Sequence, residues 1–256
     1  MNATVLLVLT SLALSPPTLA AAAGAKPTIV LVHGAFADGS SWNGVASRLA
    51  RDGYRVIAAA NPLRSVKSDA DDVGALVSSI PGPVVLVGHS YAGAVISAAA
   101  VDRPNVKALV YVAAFEPASG ETSLGLSAKF PGSTLGGALS PPVALPDGGV
   151  DLYIQQDKFP HQFAADLPAA QAAAMAASQR PITSAALQES QVGAAWQTIP
   201  SWSIWGDADL NIPPAAMAYM ADRAKAKRAV VVKGASHVVM VSHPAEVADL
   251  IEAAAQ

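Results

Sequence analysis

The chain has 256 residues, is 52% hydrophobic against 14% charged, and carries a formal net charge of -3; this composition buries a sizeable core and excludes a disordered chain. Lysine and arginine are scattered, so no basic face is offered to nucleic acid. Cysteine is absent, which excludes disulfides, thiolate catalysis and cysteine-held metal.

Residues 4–14 (TVLLVLTSLAL) are short for a membrane span but suit the apolar core of a signal peptide. Pro16 and Pro17 end the run, and Thr18-Leu19-Ala20 places small residues at a cleavage point, although no lysine or arginine precedes it. Residues 1–20 are therefore expected to be an export leader cleaved near Ala20, giving a periplasmic or secreted protein without stable membrane association. An Ala-rich leader without structure is the alternative. The folded domain is expected over residues 26–256.

Residues 28–32 (TIVLV) read as a short buried strand ending at His33-Gly34. Trp42, Val45, Ala46 and Leu49 then recur at helical spacing, with Ser40 or Ser41 to cap the helix and Gly53 to end it. A second strand is expected at 55–59, a helix at 69–80 stopped by Pro81-Gly82-Pro83, and a third strand at 84–87. Residues 91–101 are so uniformly apolar that their helix must be buried all round, and 106–114 is a fourth strand.

From about 117 to 200 the alternation breaks into Gly/Pro-rich turns and Ala-rich helical pieces with no convincing strand. It resumes with strands at 201–205 and 229–233, a helix near 213–225, and a last helix from Pro244 with Val247, Leu250, Ile251 and Ala254 on one face. Six buried strands joined by helices imply an α/β protein with a mostly parallel sheet covered on both faces. The middle segment, about 118–200, reads as a helical cap inserted after the fourth strand.

The stretch VLVGHSYAGAV (85–95) places Ser90 between a buried strand and a buried helix. A strand-to-helix turn there lifts the serine hydroxyl above the sheet edge, at a helix N-terminus. Ala92 stands where the G-x-S-x-G pattern has its second glycine, and Gly93 follows it. Helix capping by Ser90 is the plainer reading, so the hydroxyl needs a base and the base an orienting acid. Of the five histidines, His33 shapes the first loop, His89 points away from the hydroxyl, His161 lies in the insertion, and His243 caps a helix or sits on the surface. His237 follows the last strand on the same sheet edge as Ser90 and is the base candidate. Asp207 and Asp209 close the strand before it; Asp209 has the longer reach inward, and Glu116 is a third choice. For the oxyanion, the N–H of Tyr91 and one from the His33-Gly34-Ala35-Phe36 loop are the donors, Ala35 being preferred to Phe36.

Chain order Ser90, Asp209, His237, each beyond a parallel strand, is that of the α/β-hydrolases. The chain resembles that superfamily from Pro27 to its C-terminus. Its opening VLVHGAFADGSSW is similar to the branch containing bacterial carboxylesterases, plant methylesterases and hydroxynitrile lyases. The resemblance implies Ser90 as nucleophile, Asp209 of GDAD as acid, His237 as base, Ala35 and Tyr91 as oxyanion donors, and a helical cap. Hydroxynitrile lyases of this branch carry lysine directly after the histidine, where this chain has Val238, so ester hydrolysis is the closer match. A serine nucleophile also argues against the dehalogenases and epoxide hydrolases of the fold, which use aspartate.

The reading is a serine carboxylesterase acting on small to medium, uncharged, fairly hydrophobic esters. Phe36, Phe159, Phe163 and Trp196 are aromatic candidates for substrate contact, with Leu167, Met175 and Leu187 beside them in the cap. Packing of the cap onto the sheet is the alternative for most of these. Neither a metal nor an organic cofactor is implied, and the expected partner is a small-molecule ester. Thioester, perhydrolase or C–C bond chemistry on the same triad, and ligand binding without turnover, are the other functional readings.

Overall fold

The structure, a computed structural model, describes residues 26–256; the expected leader and its cleavage near Ala20 lie outside them. In chain order β1 (Thr28–Val32), α1 (Asn43–Arg51), β2 (Val56–Ala59), α2 (Val66–Ser78), β3 (Val84–His89), α3 (Ala92–Ala99) and β4 (Val106–Val112) form the first half. The insertion carries α4 (Ser123–Ala128), α5 (Leu135–Ala138), β5 (Val143–Ala144), β6 (Val150–Leu152), α6 (Phe159–Phe163), α7 (Ala169–Ser178), β7 (Ile182–Thr183) and α8 (Ser184–Gln188). The second half is β8 (Ser201–Gly206), α9 (Pro214–Arg223), β9 (Arg228–Val232), α10 (Val239–Ser242) and α11 (Pro244–Ala254).

The large sheet has the order β2-β1-β3-β4-β8-β9, with every neighbouring pair parallel. Its central strands β1 and β3 are buried along their whole length, which is why they read as unbroken apolar runs rather than alternating ones. From β1 the chain moves outward to β2, then crosses back to β3 on the other side of β1. That reversal opens a crevice beyond the carboxyl ends of β1 and β3, where open α/β sheets bind ligands.

Local chemistry moves several boundaries from those expected. Asp38, not Ser40 or Ser41, caps the first helical turn: its side chain accepts from the Ser40 N–H, and a short 3-10 turn (Gly39–Trp42) precedes α1. Helix α2 begins at Val66, earlier than position 69, because the Ser65 hydroxyl accepts from Ser68 N. Glu189 of the insertion also accepts from Val66 N at 2.6 Å and Lys67 N at 3.2 Å, so a distant carboxylate completes this helix end. The short helix α10 was not expected either.

The expectation of no strand in the middle segment is corrected. Strands β5, β6 and β7 form a small antiparallel sheet, but each has two or three residues, too few for any alternation to register. The loop after β2 grips this sheet. Thr183 donates through its N–H to Leu63 O at 3.1 Å and through its hydroxyl to Arg64 O at 2.6 Å, while the Arg64 guanidinium reaches Asp151 at 2.7 Å and Pro181 O at 3.0 Å. Among the described residues, no helix is long and apolar enough to cross a membrane.

Helix α3 packs tightly against the loop leaving β4. A Cβ built on Gly93 would stand 1.9 Å from the carbonyl oxygen of Phe115, so only glycine fits without moving backbone. Gly93→Ala is expected to destabilise the protein by ~3 kcal/mol, read from the urea midpoint. Gly137→Ala, in helix α5 where nothing lies within 4 Å of the new methyl, is expected to leave that midpoint unchanged or raise it slightly.

Candidate active site

Ser90 directly follows β3 and holds φ at +56°, a left-handed conformation disfavoured for a residue with a side chain. Three backbone hydrogen bonds over-determine it: Ser90 N donates to Val112 O at 3.2 Å, and Ser90 O accepts from Gly93 N at 3.0 Å and Phe115 N at 3.1 Å. The loop after β1 presses on the same turn. A Cβ on Gly34 would lie 2.5 Å from His89 O and 2.7 Å from Ser90 Cβ. At position 92 alanine fits as the first, fully buried residue of α3; the tight steric demand on this helix falls one residue later, on Gly93.

The loops after β8 and β9 bring the other two side chains to the hydroxyl. Ser90 Oγ lies 2.9 Å from His237 Nε2, and His237 Nδ1 lies 2.6 Å from Asp209 Oδ2. The other oxygen of Asp209 accepts from Asn211 N at 2.7 Å and Ile212 N at 3.0 Å. Those two bonds fix the carboxylate, so Nδ1 of His237 carries the donated proton and Nε2 is the acceptor facing the serine. Asp209 and His237 are both buried. Asp207 has turned away: it is exposed, and its Oδ1 accepts from Gly234 N at 2.6 Å.

His89 has a place that its position in the sequence did not suggest. Its ring packs against that of His237, with centroids 4.8 Å apart, and its Nε2–H donates to the His237 backbone carbonyl at 3.1 Å. Burial, and secondarily the nearby His237, hold its pKa well below the ordinary histidine value, so it is neutral and braces the loop carrying His237. His33 is a loop-former. Its Nδ1–H donates to Gly34 O at 3.0 Å and its Nε2 accepts from Asn61 N at 3.2 Å. His161 is exposed on α6, and His243 sits at the start of α11 with its Nδ1 2.8 Å from Ser242 Oγ.

Among the described residues, the backbone N–H groups of Ala35 and Tyr91 have no hydrogen-bond partner, whereas Phe36 N is bonded to Arg180 O at 2.9 Å. Two backbone donors without a partner therefore flank Ser90, one next to it in the chain and one in the loop after β1, and Phe36 is not one of them. The Tyr91 side chain is pinned below by a 3.0 Å bond from its hydroxyl to Asp69 Oδ2. Burial drives the Tyr91 hydroxyl far above its usual pKa, so it stays a donor.

Ser90 and His237 open into a cavity of about 190 Å³ walled mainly by Phe36, Phe163, Leu124, Leu135, Leu152 and Leu187. No lysine, arginine, aspartate or glutamate lines it; its polar groups include Ser123, Ser184, Gln188 and Asn211. Of the aromatic candidates, Phe36 and Phe163 reach the cavity. Phe159 lies behind Phe163, ring centroids 4.8 Å apart, and Trp196 donates its indole N–H to Pro117 O at 2.8 Å; neither is on the wall. Leu167 and Met175 are also off it. The leucines of α4, α5 and β6 were missed because short helices and three-residue strands show no period from which an inward face can be read.

The alpha/beta hydrolase family model matches residues 29–250. The chain belongs to the alpha/beta hydrolase family. Over 114 residues it is 32% identical to the carbendazim hydrolyzing esterase of Nocardioides sp. (strain SG-4G), a stretch covering 39% of this hydrolase and 47% of that relative, about half its length. Polyneuridine aldehyde esterase superposes with a TM-score of 0.79 at 18% identity, covering 91% of this chain and all (100%) of that one. A pyrethroid hydrolase from Sphingobium faniae JZ-2 gives 0.69 at 23% identity, covering 90% and 97%. At these identities the two structures establish the shared fold.

Glu116, the third acid candidate, is buried near Arg223, whose Nη2 donates to the Glu116 backbone carbonyl at 2.7 Å, and its Oε1 has no partner among the described residues. Burial pushes its carboxyl from 4.5 up to about 8, against opposing effects of Ser201 and Arg223. The folded state therefore holds this proton more tightly than the unfolded chain. That contribution to stability is complete below the unfolded value and is lost as pH rises through about 8. Glu116→Gln, which cannot ionise, is expected to flatten the fall in melting temperature between about pH 5 and pH 9; the check is a thermal melt series of both proteins.

Proposed function

We propose that this hydrolase is a serine carboxylesterase that cleaves small to medium, uncharged, fairly hydrophobic esters through an acyl-enzyme on Ser90. The observation that carries the reading is the continuous hydrogen-bonded path from Ser90 Oγ through His237 to Asp209, at 2.9 and 2.6 Å, opening into an apolar cavity without charged walls. A buried charge-free wall disfavours a substrate that would bring an uncompensated charge with it.

In this mechanism His237 Nε2 takes the Ser90 proton as Oγ attacks the ester carbonyl carbon. The carbonyl oxygen becomes an oxyanion and accepts from the Ala35 and Tyr91 N–H groups, donors that need no rearrangement to receive it. Asp209 stabilises the imidazolium so formed. As the tetrahedral species collapses, the proton passes from His237 to the departing alcohol oxygen, leaving the acyl group on Oγ. Water, deprotonated by His237, attacks that acyl carbon; the proton then returns to Oγ, and the carboxylic acid leaves. Ester and water give acid and alcohol, with no electron transfer, and no cofactor is called for.

The carbendazim esterase and pyrethroid hydrolase names supply support of a general kind, since each describes hydrolysis. Discrimination among esters belongs to the cavity's leucines and its few hydroxyls and amides.

Hydrolysis of a short p-nitrophenyl ester tests the reading: Ser90→Ala is expected to lose about 10⁴-fold or more in kcat. Equal turnover by both proteins would overturn it. His89→Phe, which keeps a ring but removes the donor to the His237 carbonyl, is expected to lower kcat about tenfold with KM nearly unchanged. His89→Gln, which restores an N–H, is expected to recover part of the loss.

A further inference from the structure

Two cavities meet at one side chain. The cavity holding Ser90 and His237 measures about 190 Å³ and is mainly apolar. A second, of about 380 Å³, lies between the loop after β1 and helix α7, with Asp38, Ser41, Asn43, Gln171, Ser178 and Gln179 among its lining. Phe36 is the residue that lines both. It is buried, stands at φ +59°, and is held on two sides: its N–H donates to Arg180 O at 2.9 Å, and its ring meets Phe163 edge-on at 6.1 Å.

A bulky residue in the left-handed region is uncommon and persists only where its surroundings over-determine it. Here the turn follows immediately after Ala35, so the chain supplies a free N–H at 35 and a ring at 36. Beyond the turn, Ala37 and Asp38 already belong to the second cavity. Phe36 therefore stands between a mainly apolar site and a chamber of mixed polar and apolar lining.

We propose that Phe36 is a specificity-determining partition: it limits the reaction to esters whose two arms both fit the smaller cavity, and the chamber behind it accommodates a longer arm once the ring is removed. This rests on the esterase reading above. Phe36 takes no part in the chemistry, since its own N–H is engaged by Arg180. The chamber's far wall is α7, where Ala174 faces the space without lining the catalytic cavity.

The experiment compares kcat/KM across two series, p-nitrophenyl esters of increasing acyl length and acetates of alcohols of increasing size. The proteins are wild type, Phe36→Ala, Phe36→Leu, Ala174→Trp, and the double variant Phe36→Ala with Ala174→Trp. In at least one series the Phe36 variants are expected to raise the ratio of longest to shortest ester by about tenfold. Adding Ala174→Trp should return that ratio toward the wild-type value, while Ala174→Trp alone leaves it unchanged. Folded Phe36 variants with wild-type ratios in both series would overturn the proposal, as would a gain indifferent to Ala174→Trp. Phe36→Leu, a smaller change in volume, serves if the alanine variant does not fold. Calorimetric binding of carboxylic acids of the same lengths reads the partition without turnover: an unchanged length preference in the folded variants counts against it. Loss of the esterase reading is separate, shown by a wild type that does not cleave the shortest ester or a Ser90→Ala variant that does.

Discussion

Everything at the active end of this molecule depends on how closely the loop after β1 approaches the turn after β3. At Gly34 a single methyl group would strike both His89 O and Ser90 Cβ. That proximity exists because β1 and β3 are paired neighbours at the place where the strand order reverses. It sets the free N–H of Ala35 beside the serine, and it leaves Ser90 in a left-handed conformation that the backbone bonds to Val112, Gly93 and Phe115 sustain. The same closeness puts the aromatic ring of Phe36 at the cavity wall, so donor placement and cavity size are set by adjacent residues.

A second level of organisation holds the groups behind Ser90 and His237. Asp209 is fixed by two backbone N–H groups, and His237 is braced through its own carbonyl by the neutral ring of His89. Tyr91 is tied to Asp69, whose other oxygen accepts from Arg64 N at 3.2 Å. Arg64 in turn grips Asp151 of the small sheet in the insertion. One polar chain thus runs from the residue beside Ser90 to the small sheet of the insertion.

Some elements were legible from the chain and others were not, for identifiable reasons. The inner strands of the large sheet are recognisable because burial on both faces leaves a nearly unbroken apolar run, and β1 falls at the residues its sequence suggests, whereas the edge strands β2 and β9, expected to be buried, are partly exposed. The start of α2 is not recognisable, because part of its capping comes from Glu189, over a hundred residues away. Strands β5, β6 and β7 are invisible to periodicity at their length. Phe159 and Trp196 looked like pocket residues by type alone, yet one packs behind Phe163 and the other anchors its indole on Pro117. Aromatic character does not tell which way a side chain faces.

The layered α/β architecture, and the order in which Ser90, Asp209 and His237 follow their strands, are written locally in the chain, since apolar runs, glycines and prolines act on their neighbours. Tertiary contacts set which N–H groups stay free, that Asp209 rather than Asp207 turns inward, that His89 braces the loop of His237, and that Phe36 lines two cavities. Each of these depends on partners far apart in the chain: Phe36 with Arg180, Asp207 with Gly234, and His89 with His237. Local preferences choose the elements, but a hydrogen bond or a wall needs two segments to arrive at the same place.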